Sequence, residues 1–105
     1  MIARVWHGYA ADRSAAERYV SHFRSNVVPE LESLPGYRGA QLATRDTGAE
    51  IEFLALTRWE SMEAVRAFAG DCPERAVVEP EARAALSRFD EHVTHYEIVV
   101  DAGRT

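Results

Sequence analysis

Two histidines, one near each end of the chain, are the side chains best suited to proton transfer: His7 and His95. Each lies in a segment with the residue pattern of a β-strand, and a neutral imidazole takes up a proton near neutral pH. If the first and last strands are neighbours in one sheet, the two side chains lie close together. We expect His95 to act as a general base with His7 nearby; the alternative is a histidine held by a neighbour inside the sheet or at a subunit interface.

Aromatic and cationic side chains supply the other parts of a candidate substrate site. Trp6 and Trp59 offer flat apolar faces and indole N–H donors, which suits a pocket for an aromatic compound. Trp59 lies where a strand meets a helix, so packing of that corner is the alternative. Arg4 and Arg45 carry forked donors that can hold an enolate, a phenolate or a carboxylate. Because Arg45 precedes a turn at Asp46, a solvated charge is its alternative.

Other reactive side chains have simpler interpretations. His22 lies off the apolar stripe of the first predicted helix, which favours a position in solvent. Cys72 is the single cysteine and precedes a proline in a predicted loop, so we interpret it as incidental. One cysteine excludes an intrachain disulfide and a metal site with paired Cys and His spacing. We therefore expect no metal site.

The elements that must position these residues follow one another with short turns. Alternating apolar residues predict strands over residues 2–9, 37–45, 51–57 and 92–100. A capping box at Ser14 predicts a helix that ends at Leu34-Pro35-Gly36. Ser61 caps a second helix that ends at Gly70, and Pro80 opens a short third one. The order predicts one α+β domain over residues 1–105, with the ferredoxin-like βαββαβ arrangement and an antiparallel four-stranded sheet.

The predicted third strand is apolar on both faces, which bears on assembly. Phe53 and Ala55 point to one side of the sheet, and Leu54 and Leu56 point to the other. Two helices cover only one face of such a sheet, so the second face needs another cover. A second copy of the chain is the simplest one. We therefore expect a homodimer in which the two sheets pack face to face as a dimeric α/β barrel.

Composition limits the classes of partner that we expect the chain to bind and the compartment in which we expect it. The formal net charge is −5, with 12 basic and 17 acidic residues, and the basic residues are dispersed arginines. A nucleic-acid partner needs a basic stripe, which this pattern lacks. The first residues lack the apolar run of a signal peptide, and no stretch approaches the roughly 20 apolar residues of a membrane span. We expect no nucleic-acid partner, no membrane partner and a cytoplasmic location.

Several segments together resemble the antibiotic biosynthesis monooxygenase domain family. They are Leu34-Pro35-Gly36-Tyr37, Thr57-Arg58-Trp59-Glu60-Ser61, Phe68-Ala69-Gly70 and His95-Tyr96-Glu97-Ile98-Val99. The resemblance spans nearly the whole chain and implies a cofactor-independent monooxygenase that acts on a small aromatic or polyketide-like compound. It adds Phe68 and Tyr96 to the candidate substrate site. An isomerase or cyclase that works by proton transfer, and a non-catalytic dimeric ligand-binding or structural module, remain alternatives because one fold carries many functions.

The haem-degrading branch of that family can be compared residue by residue. Its members carry a tryptophan on the second helix and, further on, a histidine that ligates iron. The resemblance places these residues at Phe68 and Val78. Phe68 is not a tryptophan, and Val78 has no imidazole nitrogen with which to ligate iron. We therefore expect no haem-degrading function; the alternative is that another histidine of the chain ligates the iron.

Overall fold

Residues 1–103 are described by a computed structural model. The strands are β1 (Ile2–Ala10), β2 (Tyr37–Asp46), β3 (Ile51–Trp59), β4 (Arg88–Phe89) and β5 (Thr94–Glu97). The helices are α1 (Arg13–His22), α2 (Val28–Glu32), α3 (Met62–Ala69) and α4 (Pro80–Ala85), and a π-helical turn (Phe23–Val27) joins α1 to α2. These elements form the predicted α+β architecture.

All strand pairs in the sheet are antiparallel, and β1 lies at its centre. β3 pairs with β1 on one side and with β2 on the other, in the order β2-β3-β1. The two short strands β4 and β5 both pair with β1 along its second side. The sheet is therefore open, and the chain alone does not close it into a barrel.

The first helical segment differs in detail from the prediction. Its N-cap is Asp12, whose side chain accepts the N–H of Ala15 at 2.8 Å, so the predicted capping box at Ser14 is wrong. The π-helical turn interrupts what the sequence predicted as one regular helix. Pro29 lies just after this turn and has no N–H to donate to a carbonyl of the preceding turn, which accounts for the interruption.

One face of the sheet packs against the helices and holds the core. Successive side chains of a strand point to opposite faces, so the even-numbered residues of β1 and the odd-numbered residues of β3 share this face. A separate small cluster of Leu31, Trp59 and Val65 fills the corner where α2 and α3 meet the end of β3. Trp59 is fully buried there, which agrees with the packing alternative for this residue.

The last predicted strand is shorter than expected and is preceded by an extra one. The sequence predicted a strand over residues 92–100, whereas β5 covers only Thr94–Glu97 and Val99 and Val100 are exposed. The reason is that residues 91–93 bond to the loop before α4: Ala76 N–H donates to Glu91 O, and Val93 N–H donates to Glu74 O. This pairing draws the chain away from β1 between β4 and β5.

The second face of the sheet carries apolar side chains that no element of residues 1–103 covers. Leu54 is 37% exposed and Tyr96 is 57% exposed, and both lie on the face opposite the helices. Val5 and Leu56, which are cross-strand neighbours on this face, are half-buried. No helix among the described residues is long and apolar enough to cross a membrane. The cytoplasmic location stays a prediction.

Candidate functional site

A cavity of about 340 Å³ lies between the helices and the sheet. Its walls come from β1, β3, the helical segment from Tyr19 to Leu34, Phe68 of α3, the loop that precedes α4 and α4 itself. Most of the lining is apolar. The ionisable side chains in the lining are few: Arg4, Tyr19, His22, Glu30 and Glu79.

Arg4 is the buried cation of this cavity, with only 6% of its surface exposed. Its Nη1 donates to the Pro73 carbonyl at 2.5 Å and lies 3.0 Å from Nε2 of His95. Its Nη2 donates to the Arg75 carbonyl at 3.0 Å, and the guanidinium lies 5.7 Å from the centre of the Phe68 ring. Burial lowers the pKa of Arg4 to about 10, so the group remains protonated at neutral pH.

The register of the sheet explains how Arg4 reaches this place. Arg4 lies at an even position of β1, whose even-numbered side chains point toward the helices. In the register of β1 with β5, Arg4 is the direct partner of His95, so both side chains lie on the same face. The carbonyls of Pro73 and Arg75, in the loop before α4, accept hydrogen bonds from the guanidinium.

Arg4 has no carboxylate partner within the described residues. The five ion pairs in this part of the chain join other side chains: His7 to Asp90, His22 to Glu79, Arg38 to Glu60, Arg45 to Glu52, and Arg88 to Glu50. A buried charge is costly unless an opposite charge or several hydrogen bonds compensate it. Two carbonyls and an imidazole occupy three of the five guanidinium N–H groups. An anion in the cavity would accept hydrogen bonds from the other N–H groups and balance the charge.

His95 lies behind Arg4 and outside the residues that line the cavity. Burial and the neighbouring Arg4 guanidinium both lower the pKa of its imidazole. The neutral ring can accept the Arg4 N–H at Nε2, and this arrangement assigns the ring proton to Nδ1. Its role as a general base stays a prediction, and its contacts suit a residue that orients Arg4.

Trp6 forms part of the cavity wall. Its indole N–H donates to the Asp90 carbonyl at 2.7 Å, and its ring packs 6.1 Å from Tyr19. The absence of a side chain at Gly8 makes this position possible, because a Cβ there would lie 2.6 Å from the Trp6 ring. Tyr19 is also buried, and burial raises the pKa of its phenol, which keeps the hydroxyl neutral.

His22 was expected in solvent, and that expectation is wrong. It is 9% exposed and lines the cavity, and its Nε2 atom has no hydrogen-bond partner among residues 1–103. The nearest ionic group is Glu79, whose Oε1 lies 3.4 Å from His22 Nε2. The prediction followed an apolar stripe through Val20, whereas the buried stripe of α1 passes through Tyr19 and His22. Tyr19, three residues before His22, was the available signal for this face.

The structure does not bring the remaining candidate residues into the cavity. His7 lies on the opposite face of the sheet, 3.6 Å from Asp90. Arg45 is exposed and paired with Glu52 at 2.6 Å, and Tyr96 is exposed on the uncovered face. Trp59 packs against Phe68 with their rings 5.2 Å apart, so it supports a lining residue from behind.

Two residues that line the cavity are at the positions that the sequence analysis compared with the haem-degrading proteins. Phe68 and Val78 both border the cavity, so the positions compared from the sequence belong to one site. Neither offers a nitrogen to iron. The residues at these positions do not fit a haem bound through a histidine there, and no group of three or more His, Cys, Asp or Glu among residues 1–103 is arranged to hold a metal ion.

Comparison with known proteins identifies a family and a fold. The family model described as antibiotic biosynthesis monooxygenase matches residues 8–79, which is more than half of the chain. Among curated protein sequences, none matches this chain significantly.

Solved structures similar to the chain share its fold at low sequence identity. One is the haem degrader MhuD from Mycobacterium tuberculosis with two haems bound in its active site, at 21% identity and a TM-score of 0.67, covering 98% of this chain and 100% of that one. Another is a proposed antibiotic biosynthesis monooxygenase from Bacillus cereus, at 13% identity and a TM-score of 0.69, covering 99% and 96%. A third is Rv0793 from Mycobacterium tuberculosis, at 16% identity and a TM-score of 0.57, covering 98% and 100%.

The contact between His95 and Arg4 predicts a pH-dependent stability. Because the pKa of His95 is lower in the folded chain than in the unfolded one, the unfolded chain binds more protons between the two values. Stability should therefore fall as the pH drops below the reference value of about 6.5. His95→Gln has no imidazole and cannot lose stability in this way. The Tm of the variant minus the Tm of wild type should therefore become more positive as the pH is lowered.

Thermal unfolding between neutral and mildly acidic pH measures this difference. His92→Gln is the matched control, since His92 is exposed and three residues away. The difference between this control and wild type should stay constant across the same range. A constant difference for His95→Gln as well would contradict the assigned contact.

Proposed function

The chain belongs to the antibiotic biosynthesis monooxygenase family, and on that premise we propose that its cavity binds a small aromatic or polyketide-like compound as an anion held by Arg4. We further propose that the bound anion reacts with oxygen without a cofactor. The observation that carries this proposal is a buried guanidinium that borders an apolar cavity and has no carboxylate partner among residues 1–103. A phenolate or enolate oxygen would supply the missing negative charge.

The size and lining of the cavity support a compound of two or three fused rings. Ligand cavities in proteins span about 300–1,000 Å³, and this one, at about 340 Å³, lies at the lower end. Trp6, Tyr19, Phe23 and Phe68 give it an aromatic lining. Such walls lower the local dielectric constant, which strengthens the attraction between Arg4 and an anion.

The chemistry needs only a base, an anion site and dissolved oxygen. Loss of a proton from a reduced phenolic compound such as anthrone gives an enolate whose oxygen Arg4 holds. The enolate carbon transfers an electron pair to O₂ in steps and forms a C–O bond, and the peroxide takes up a proton. Loss of water then breaks the O–O bond and leaves a new carbonyl, so anthrone and O₂ give anthraquinone and water. Arg4 stabilises the charge before oxygen adds.

His95 has a supporting role in this proposal. It faces Arg4 from β5, and its acceptor nitrogen fixes one edge of the guanidinium. We expect it to orient Arg4 rather than to contact the substrate. A base at His95 remains the competing prediction, and loss of turnover in His95→Gln with unchanged ligand binding would favour it.

Two other functions use the same cavity. An isomerase or cyclase would need the same anion site, because proton transfer next to a carbonyl also passes through an enolate. A ligand-binding module would use Arg4 for affinity alone. Oxygen consumption separates the first proposal from both, since only oxygenation consumes one O₂ for each product formed.

Replacing Arg4 tests the anion site directly. Arg4→Gln should lose the preference of the cavity for 2-naphthoate over its neutral analogue 2-naphthamide, because the fork and its charge are gone. A hydrogen bond to a charged group contributes about 1.5–3 kcal/mol, so the affinity for 2-naphthoate should fall about ten- to a hundredfold. Calorimetric titration measures both ligands, and an oxygen electrode with anthrone should show the same loss in turnover.

Arg45→Gln is the matched control, since it removes the same charge from an exposed arginine on the opposite face. It should bind 2-naphthoate as wild type does. Arg4→Lys keeps the charge and loses the fork, so an intermediate affinity is expected. Equal affinity of Arg4→Gln and wild type for 2-naphthoate would contradict the anion site. Binding by wild type without oxygen consumption would leave the isomerase and binding-module alternatives.

We also propose that the chain forms a homodimer through the uncovered face of the sheet. Leu54 and Tyr96 are exposed there, and Val5 and Leu56 lie between them at half burial. A contiguous apolar patch on an open sheet is typical of an interaction surface. A second copy of the chain offers the same patch, so a two-fold axis would pair the two sheets.

The dimer can be tested by light scattering after size exclusion. The wild-type mass should be about twice 11.8 kDa. Leu54→Glu should give a monomer, because the dimer would bury an unpaired carboxylate. Ala67→Glu places the same charge at an exposed position of α3 and should leave the dimer intact. A wild-type monomer at micromolar concentration would show that this face is not a dimer interface.

A further inference from the structure

His22 and Glu79 form a pair at the cavity wall that the proposed function has not used. Nε2 of His22 is inaccessible to solvent and has no hydrogen-bond partner among residues 1–103. Oε1 of Glu79 lies 3.4 Å from it without hydrogen-bond geometry, and the Glu79 side chain is 34% exposed. A buried polar atom without a partner is unfavourable, so its presence beside a cavity calls for an explanation.

We propose that Glu79 and His22 together are the proton acceptor of this cavity, an inference that rests on the proposed binding of a phenol or enol. Glu79 lines the cavity and contacts the substrate, so its carboxylate receives the proton. The proton then passes to Nε2 of His22, which leaves an imidazolium beside a carboxylate. The substrate keeps the electron pair and becomes the anion that Arg4 holds, so no other reactant is needed.

The positions of the two residues suit these two roles, substrate contact for Glu79 and the final proton site for His22. His22 is the last residue of α1, and Glu79 is the N-cap residue of α4, which packs against α1. A carboxylate next to an imidazole stabilises its protonated form. An imidazole is in general a stronger base than a carboxylate. His22 thus supplies the final proton site, and Glu79 the contact with the substrate.

Other charged and titratable groups surround the pair. Arg4 from β1, Tyr19 from α1 and Glu30 from α2 line the same cavity. Arg83 of α4 donates to the Val78 carbonyl next to Glu79.

Binding of para-nitrophenol without oxygen tests the pair separately from the oxygenation. The phenolate absorbs at a longer wavelength than the phenol, and a pH indicator in weak buffer reports released protons. In wild type, the bound probe should be the phenolate, and few protons should appear in solution because the pair retains them. In His22→Gln and in Glu79→Gln, each phenolate bound should release about one proton, since the acceptor is incomplete.

Turnover of anthrone should follow the same pattern. Each variant should lose on the order of a hundredfold in rate, which is the usual contribution of general-base catalysis. The double variant should lose little more than either single one, because both residues serve one proton transfer. The acidic limb of the pH profile should flatten in His22→Gln, which a purely structural residue would not cause. Glu81→Gln, an exposed neighbour on α4, is the control and should match wild type.

The outcomes distinguish this inference from the function on which it rests. Phenolate bound by wild type with equal proton release in all variants would overturn the pair and leave the Arg4 site intact. Absence of bound phenolate in wild type would overturn both. Stoichiometric haem binding by wild type that is lost in His22→Gln would also overturn the pair, because the imidazole would then be an iron ligand.

Discussion

The buried guanidinium of Arg4 is the interaction on which the rest of this structure depends. It joins the central strand to the loop before α4 through the Pro73 and Arg75 carbonyls, and to β5 through His95. These contacts hold the loop that forms one wall of the cavity. A chain with a net charge of −5 thus places a positive charge, with no carboxylate beside it among the described residues, against an apolar cavity. The cost of that arrangement is explained if an anion binds there.

The helical side of the cavity completes the site. The π-helical turn and Pro29 interrupt the first helical segment, whose residues from Tyr19 to Leu34 line one wall. Along this wall, His22 lies beside Glu79 at the start of α4. The anion site and the proposed proton acceptor therefore come from different layers, the first from the sheet and the second from the helices. A substrate between the layers would contact both.

Much of the fold was predictable from the sequence, because strand alternation, Gly and Pro positions and helix caps are local signals. The α+β class and the antiparallel strand order follow from them. The forked donors of Arg4 predicted an anion-binding residue, and the aromatic face of Trp6 predicted part of the pocket. Both residues line the cavity. The prediction that His22 lies in solvent was wrong because it assumed an apolar stripe through Val20. The buried stripe of α1 instead passes through Tyr19, one residue earlier, and includes His22. The contact between Arg4 and the loop before α4 was beyond prediction, since carbonyls carry no sequence signal and the loop has no periodic pattern.

The proposed function depends above all on the binding of a ligand anion by Arg4. The most direct measurement is a crystal structure of the protein with 2-naphthoate bound. If Arg4 is the anion site, the carboxylate should lie between the sheet and the helices and accept hydrogen bonds from the Arg4 guanidinium at about 2.7–2.9 Å. A carboxylate bound elsewhere, with Arg4 contacting only Pro73, Arg75 and His95, would show that the guanidinium is a structural link and contradict the claim.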